Sequence, residues 1–257
     1  MDFQIEKAPN GIQSKNIAVA SATVIEYGDI IGETSGLAVK AGASTAKIAF
    51  AMSGSAAGET TPIIACNDKR LVLKGKGDAV FAVAQRGSEV DLVIKPGYLT
   101  TGATKTTVAV LAAITDASFR VTIDGTGRNV DALDLSSGTP TTMAAIAALI
   151  QTALRTATSA SETVTWDSTN EKFIISSVTA SDSGTVTVLS TSTGTVGTDI
   201  SGKLYLNGDS GAGVVTDPRQ SIDVGASSTD VFIVEPGTDA GVVGSADNIL
   251  VTMNKTI

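Results

Sequence analysis

The chain has 257 residues with 18 basic and 26 acidic side chains, a net charge of −8, one cysteine, one tryptophan and no histidine. A chain of this length buries about 70% of its unfolded surface and needs no covalent staples, and a lone Cys66 excludes an intramolecular disulfide framework. Residues 101–216 hold 6 basic and 10 acidic groups, leaving 12 and 16 for the rest; charge so evenly spread provides no basic patch for counterion release, which argues against direct nucleic-acid binding.

Residues 1–16 lack a stable period and contain Pro9, Asn10 and Gly11, the pattern of an N-terminal arm ordered by a partner or by the body of the protein. Their first residues show no charged-then-apolar leader, and no stretch approaches the ~20 apolar residues of a membrane span. Synthesis in a cytoplasm is the expectation. From Ile17 onward, short apolar runs alternate with turn residues: 17–20, 23–27, 30–31, 37–39, 47–51, 62–65, 71–73, 80–83 and 89–93. Closely spaced strands with glycine turns predict a small β-barrel or sandwich.

That pattern stops near Val93, and a different one occupies residues 102–216. Phe119 to Asp124 alternates with period two and ends in the turn-like Asp124-Gly125. Residues 163–167 and 172–176 flank Ser168-Thr169-Asn170 as a hairpin, with Trp166 and Phe173 available for a local core. Between these strands lies a predicted helix, with Thr139 as N-cap, Pro140 at the first position, and Met143, Ile146, Leu149, Ile150, Ala153 and Leu154 on one face. Residues 177–201 include 13 Ser or Thr, and Val186 and Val188 predict one strand within a loop-rich stretch.

The first pattern resumes at Gln220, with strands expected at 221–224, 230–234 and 249–253 and turns at Pro236-Gly237 and Gly241 to Gly244. The layout is therefore mainly β: an arm at 1–16, a discontinuous β-barrel or sandwich domain at 17–101 plus 217–257, and an inserted α+β domain at 102–216 with one main helix. Exposed loop tips tolerate such insertions.

No catalytic constellation emerges. Gly208-Asp209-Ser210-Gly211 is similar to the loop around a serine-protease nucleophile, but that chemistry needs a base, and there is no histidine. Ser44-Thr45-Ala46-Lys47 matches Ser-x-x-Lys and Ser245-Ala246-Asp247-Asn248 loosely fits a second penicillin-binding element; the third is missing. Gly125-Thr126-Gly127 and Gly75-Lys76-Gly77 lack phosphate-loop spacing and read as turns. Asp124, Asp131 and Asp134 fit no complete cation loop, and Tyr27, Tyr98 and Tyr205 are too dispersed for base stacking. No catalytic, cofactor-binding or metal residue and no cofactor is expected; Cys66 reads as a buried apolar residue.

Two resemblances follow from these residues. The run from Phe119 to Gly213, with 121–125, 133–136, the Ala-rich helix after Thr142, 164–167 and 173–177, resembles a domain of tail-sheath-like and other virion proteins of tailed bacteriophages. The flanking Gly28-Asp29-Ile30-Ile31, Ile48 to Met52, Phe81 to Ala84 and Val231 to Gly237 resemble small β-barrel capsid decoration (head cement) proteins of phages. The second resemblance implies a virion structural protein, made in the host bacterial cytoplasm, that binds the capsid exterior and clamps neighbouring subunits of the major capsid protein. Its further partners would be neighbouring copies, as a homo-trimer or side by side on the shell, with no nucleic acid and no membrane. The arm and edge strands would make the contact and the insert would project outward. A phage tail component, a host-surface or glycan-binding module acting through the insert's Ser/Thr-rich loops, and an enzyme are the alternatives in falling order.

Overall fold

The computed structural model describes residues 3–20, 23–56, 59, 62–102, 106–158, 161–179, 184–194, 197–204, 214–225, 229–235, 240–241, 243 and 245–257. It divides into two compact units, Met1–Lys95 with Gln220–Ile257, and Pro96–Arg219. In chain order the first unit contributes β1 (Phe3–Lys7), β2 (Ser14–Ile17), β3 (Ile30–Thr34), β4 (Leu37–Lys40), β5 (Ala49–Ala51), β6 (Ile63–Cys66), β7 (Val72–Gly75) and β8 (Glu89–Lys95). The second contains β9 (Tyr98–Thr100), α1 (Val108–Ala112), β10 (Ala117–Ile123), β11 (Thr126–Leu133), α2 (Met143–Thr158), β12 (Thr163–Asp167), β13 (Lys172–Ser176), β14 (Val186–Ser190), β15 (Thr198–Asp199) and β16 (Val214–Thr216). The chain returns to the first unit with β17 (Arg219–Asp223), β18 (Phe232–Val234) and β19 (Ile249–Met253).

The first unit has two open sheets, ordered β2-β6-β5-β3-β4 and β1-β7-β19-β18-β8-β17. Neither closes on itself, so the barrel expectation gives way to sandwich-like packing: Ile30, Ile48, Phe50 and Cys66 share one core with Phe3, Leu73, Val90, Ile222, Phe232 and Val251. The five-stranded sheet is buried on its other face too, where Ile31, Ala49, Ala51, Ile63 and Ala65 meet Ile17, Val19 and Ile25. Double burial explains why Ile48 to Ala51 is a continuous apolar run without alternation, whereas in β6 Ile64 is exposed between the buried Ile63 and Ala65. The β3–β4 connection is a two-residue turn with Ser35 at φ 52° and Gly36 at φ 81°, the paired positive dihedrals that match strand twist.

The N-terminal residues are part of this body. β1 pairs with β7, β2 pairs with β6, and Phe3 is fully buried, its ring 5.5 Å from that of Phe232. Of the two sources of order expected for the N-terminal arm, the body of the protein supplies it for residues 3–7 and 14–17, because apolar burial and ladder hydrogen bonds outweigh the chain entropy. Two strand expectations fail. Residues 23–27 form only the bridge between Ile25 and Ser55, since the Asp29 carboxylate accepts from the Glu26 N–H at 2.8 Å and holds a turn. Residues 80–83 run into a single 3-10 turn at Val83–Gln85, where Gln85 Oε1 accepts from the Ala82 N–H at 2.6 Å; Phe81 alone is buried there.

β18 and β19 lie between β7 and β8, so the six-stranded sheet is incomplete until the C-terminal segment is present. Gln220 ties the returning chain to the other sheet. Its Oε1 accepts from the Ile30 N–H at 2.7 Å, and its Nε2 donates to the carbonyls of Ile30 at 2.7 Å and Ala41 at 2.8 Å. Gln220→Leu is expected to cost about 2–3 kcal/mol, because it strands a buried N–H; chemical denaturation monitored by circular dichroism checks it, and an unchanged midpoint would show that another group takes over.

In the second unit the sheets are β11-β10-β14, with β15 pairing on β10, and β12-β13-β9-β16. Both contribute to one core with the helices, including Leu99, Phe119, Val121, Val130, Ile146, Ile150, Leu154, Val164, Phe173 and Ile175. β9 pairs with β13 and β16, so residues 96–101, expected in the first domain, belong here. Asp124 at φ 51° and Gly125 at φ 72° make the β10–β11 turn, and Trp166 sits opposite Phe173 in the β12–β13 hairpin. The helix starts later than predicted. Thr139 has φ 51°, which is incompatible with the extended N-cap conformation, and Thr142 Oγ1 accepts instead from the Ala145 N–H at 3.1 Å. Its predicted face holds: Ile146, Ile150 and Leu154 are buried, with Met143, Leu149 and Ala153 packed beside them.

Candidate functional site

The residues singled out in the sequence do not converge. Ser44 and Lys47 line an open cleft of about 580 Å³ in the first unit with Gly32, Glu33, Thr34 and the terminal Ile257, and neither Ser245 nor Asn248 joins them. Ser245 instead uses its Oγ to accept from the Asp247 N–H at 3.1 Å. Gly208 to Gly211, Tyr205 and Pro236-Gly237 lie outside the described residues. Tyr27 packs edge-on to Phe50 with centroids 5.6 Å apart, and Tyr98 is in β9. Cys66 is fully buried, and burial pushes its thiol above the ordinary range, which suppresses the reactive thiolate.

The three aspartates weighed as cation ligands each have separate protein donors. Asp124 accepts from Ser177 Oγ at 2.8 Å, Thr179 Oγ1 at 2.6 Å and the Thr185 N–H at 3.0 Å. Asp131 accepts from Ser192 Oγ. Asp134 takes the hydroxyl of Ser136 at 2.6 Å and its N–H at 2.9 Å, which holds its carboxyl below the usual range. Among the described residues no group of three potential metal-binding side chains assembles.

Similar contacts organise the Ser/Thr-rich stretch around the strand at Val186 and Val188. Thr191 donates to Asp199, Thr193 receives from Arg120 and Asn129, and Thr198 donates to Asp116. The Ser/Thr-rich segment is thus a row of hydroxyls that stitches the β10–β11 hairpin to the chain beside it. The available signal was compositional: short hydroxyl side chains opposite several Asp residues bond locally to backbone and carboxylate groups.

What remains are surfaces. Tyr27, Leu37 and Ile64 are exposed on the first unit, as are Val80, Val83 and Val243. The outer strands of its sheets are β1, β17, β2 and β4; two of these four come from residues 3–17. In the second unit, Val130, Leu133, Leu149 and Ala153 line a groove of about 440 Å³ between β11 and α2.

The strongest ionic feature of the first unit is structural. Arg70 grips Asp68 through Nη2 at 2.7 Å and Nε at 3.0 Å, with the Arg70 N–H at 3.0 Å. The guanidinium contact, followed by that backbone bond, holds the Asp68 carboxyl far below the ordinary carboxylate value. A depressed folded-state pKa gives stability that is complete above the ordinary value and is lost as pH falls through the folded one. Thermal unfolding midpoints should therefore be flat above about pH 5 and decline below it. Asp68→Asn should lower the neutral plateau and flatten the acid limb; an acid limb identical to that of the parent would assign the effect to other carboxylates.

No helix among the described residues is long and apolar enough to cross a membrane. No curated protein matches the chain. Residues 95–217 match the family described as the E217 tail sheath protein gp31, insert domain; these limits differ by two residues or fewer at each end from the compact unit Pro96–Arg219. The match supports a phage virion structural protein that carries this insert domain within a β-sheet host unit.

Proposed function

We propose that the protein is a non-catalytic capsid decoration protein, which binds the outer surface of the assembled phage shell and stabilises it through contacts with the major capsid protein and neighbouring copies. The observation that carries this reading is the interrupted layout: a β host unit is split between Lys95 and Gln220 by a separately cored domain of a virion family. Three of the four segments that resemble decoration proteins include residues of β3, β5 and β18 of that host unit, and the fourth, Phe81 to Ala84, runs into the turn at Val83–Gln85. Shell contact falls to the edge strands β1 and β2, which offer main-chain groups for strand addition. Weak contacts repeated over many copies add up to strong attachment, and the net charge of −8 keeps the protein soluble before its composite site forms.

Mixing the purified protein with mature capsids stripped of accessory proteins tests the reading by co-sedimentation, with unexpanded shells as the control. Saturable binding to expanded shells alone is the expected result. A tail component is the second reading, favoured by the description of the matching family. Antibody labelling of particles separates the two, since label on tails with bare heads would overturn the decoration assignment. Binding to neither shell together with retention on a glycan array would place the protein at the host surface.

A further inference from the structure

We infer that Asn10 is a site of spontaneous deamidation. The residue is exposed and precedes Gly11, and its side-chain amide has no hydrogen-bond partner among the described residues. Gly11 is also exposed, has φ 72°, and has open space where a side chain would stand. Glycine leaves its own backbone nitrogen unobstructed and lets the chain swing through conformations closed to other residues, which is what an intramolecular attack by that nitrogen requires. The surroundings permit the movement. The strap joins β1, ending at Lys7, to β2, beginning at Ser14, and is held again only at Ile12, partly buried on the core, and Gln13, whose N–H reaches Asp68 and whose carbonyl accepts from the Asn67 N–H.

The reaction needs only water. The Gly11 backbone nitrogen, after losing its proton, attacks Asn10 Cγ; the new C–N bond forms as the bond from Cγ to Nδ2 breaks, and ammonia leaves. Water then opens the cyclic imide at either carbonyl, giving aspartate or isoaspartate at position 10. Both products add one negative charge to a chain already at −8. Isoaspartate also routes the backbone through Cβ, lengthening the strap by one atom between its anchors. The Asp124-Gly125 turn shows the opposite case: its carboxylate is fixed by Ser177, Thr179 and Thr185, so it is not free to meet the following nitrogen.

The test is to incubate the full chain in mildly alkaline buffer, then combine peptide mapping by tandem mass spectrometry with isoelectric focusing and a melting curve. Aspartyl and isoaspartyl forms should accumulate in the peptide containing Asn10, together with a more acidic band and an unchanged melting midpoint. The position-10 products should be absent in Asn10→Gln, whose longer side chain closes a less favourable ring. Peptide mapping separates this position from Asn207-Gly208, the other Asn-Gly pair in the chain. An intact Asn10 amide in the folded protein, under conditions where the urea-unfolded chain converts at Asn10, would overturn the inference; so would an intact amide in both.

Discussion

Phe3→Ala is expected to lower the stability of the first unit by about 3–5 kcal/mol, the usual cost of removing a fully buried aromatic ring. Phe3 has no exposed surface, stacks at 5.5 Å on Phe232, and fills the space above Gly75, where an added Cβ would fall 2.5 Å from its ring. Its loss empties the point where β1, β7 and β18 meet. Trp166, the sole tryptophan, lies in the second unit, so the two units have separate readouts. The circular-dichroism transition of the β host should move to lower denaturant while the Trp166 fluorescence transition stays in place. A shift of both by the same amount would show that the units unfold as one. Deleting residues 2–15 should be more severe still, because it removes β1 and half of β2; capsid binding by a β1 or β2 contact is therefore better probed with surface substitutions than with truncation.

Phe173→Ala is the reciprocal experiment and should cost the second unit about 3–5 kcal/mol. The ring is 1% exposed, meets Trp166 edge-on at 4.8 Å, and belongs to the core shared by both insert sheets and α2. Aromatic pairs of this geometry contribute beyond their buried area, so the Trp166 emission should shift to the red in the folded variant as well as melting earlier. The host transition should hold its position. Wild-type emission from the folded variant would mean that Trp166 is not reporting on the core of its own hairpin.

Much of the architecture was legible because it follows from local rules. The 3.6-residue spacing of Ile146, Ile150 and Leu154 marks α2, and the period-two run around Val121 marks β10. Asp124-Gly125 marks its turn, since only small or short polar residues tolerate two successive positive dihedrals there. The break in pattern after Val93 marks an insertion. Its limits were less legible: Tyr98–Thr100 and Val214–Thr216 are three-residue strands, too short to display a period, and they are strands because β9 pairs with β13 on one side and β16 on the other.

The partners are where local reasoning stops. Gln220 is an ordinary polar residue in the sequence; its buried position against Ile30 and Ala41, 179–190 residues away, makes it a clamp. Likewise, a Ser/Thr-rich stretch reads as low complexity until the fold sets Ser177, Thr179 and Ser192 against Asp124 and Asp131. Phe3 gains its role in the same way, as its neighbour Phe232 arrives from the other end of the chain. Periodicity, turn chemistry and composition are properties of neighbouring residues, so class, helix, hairpins and the interruption could be read directly from the order of amino acids. Sheet order, the absence of closure and the pairing of buried polar groups depend on contacts between residues far apart in the chain, and only folding brings those residues together.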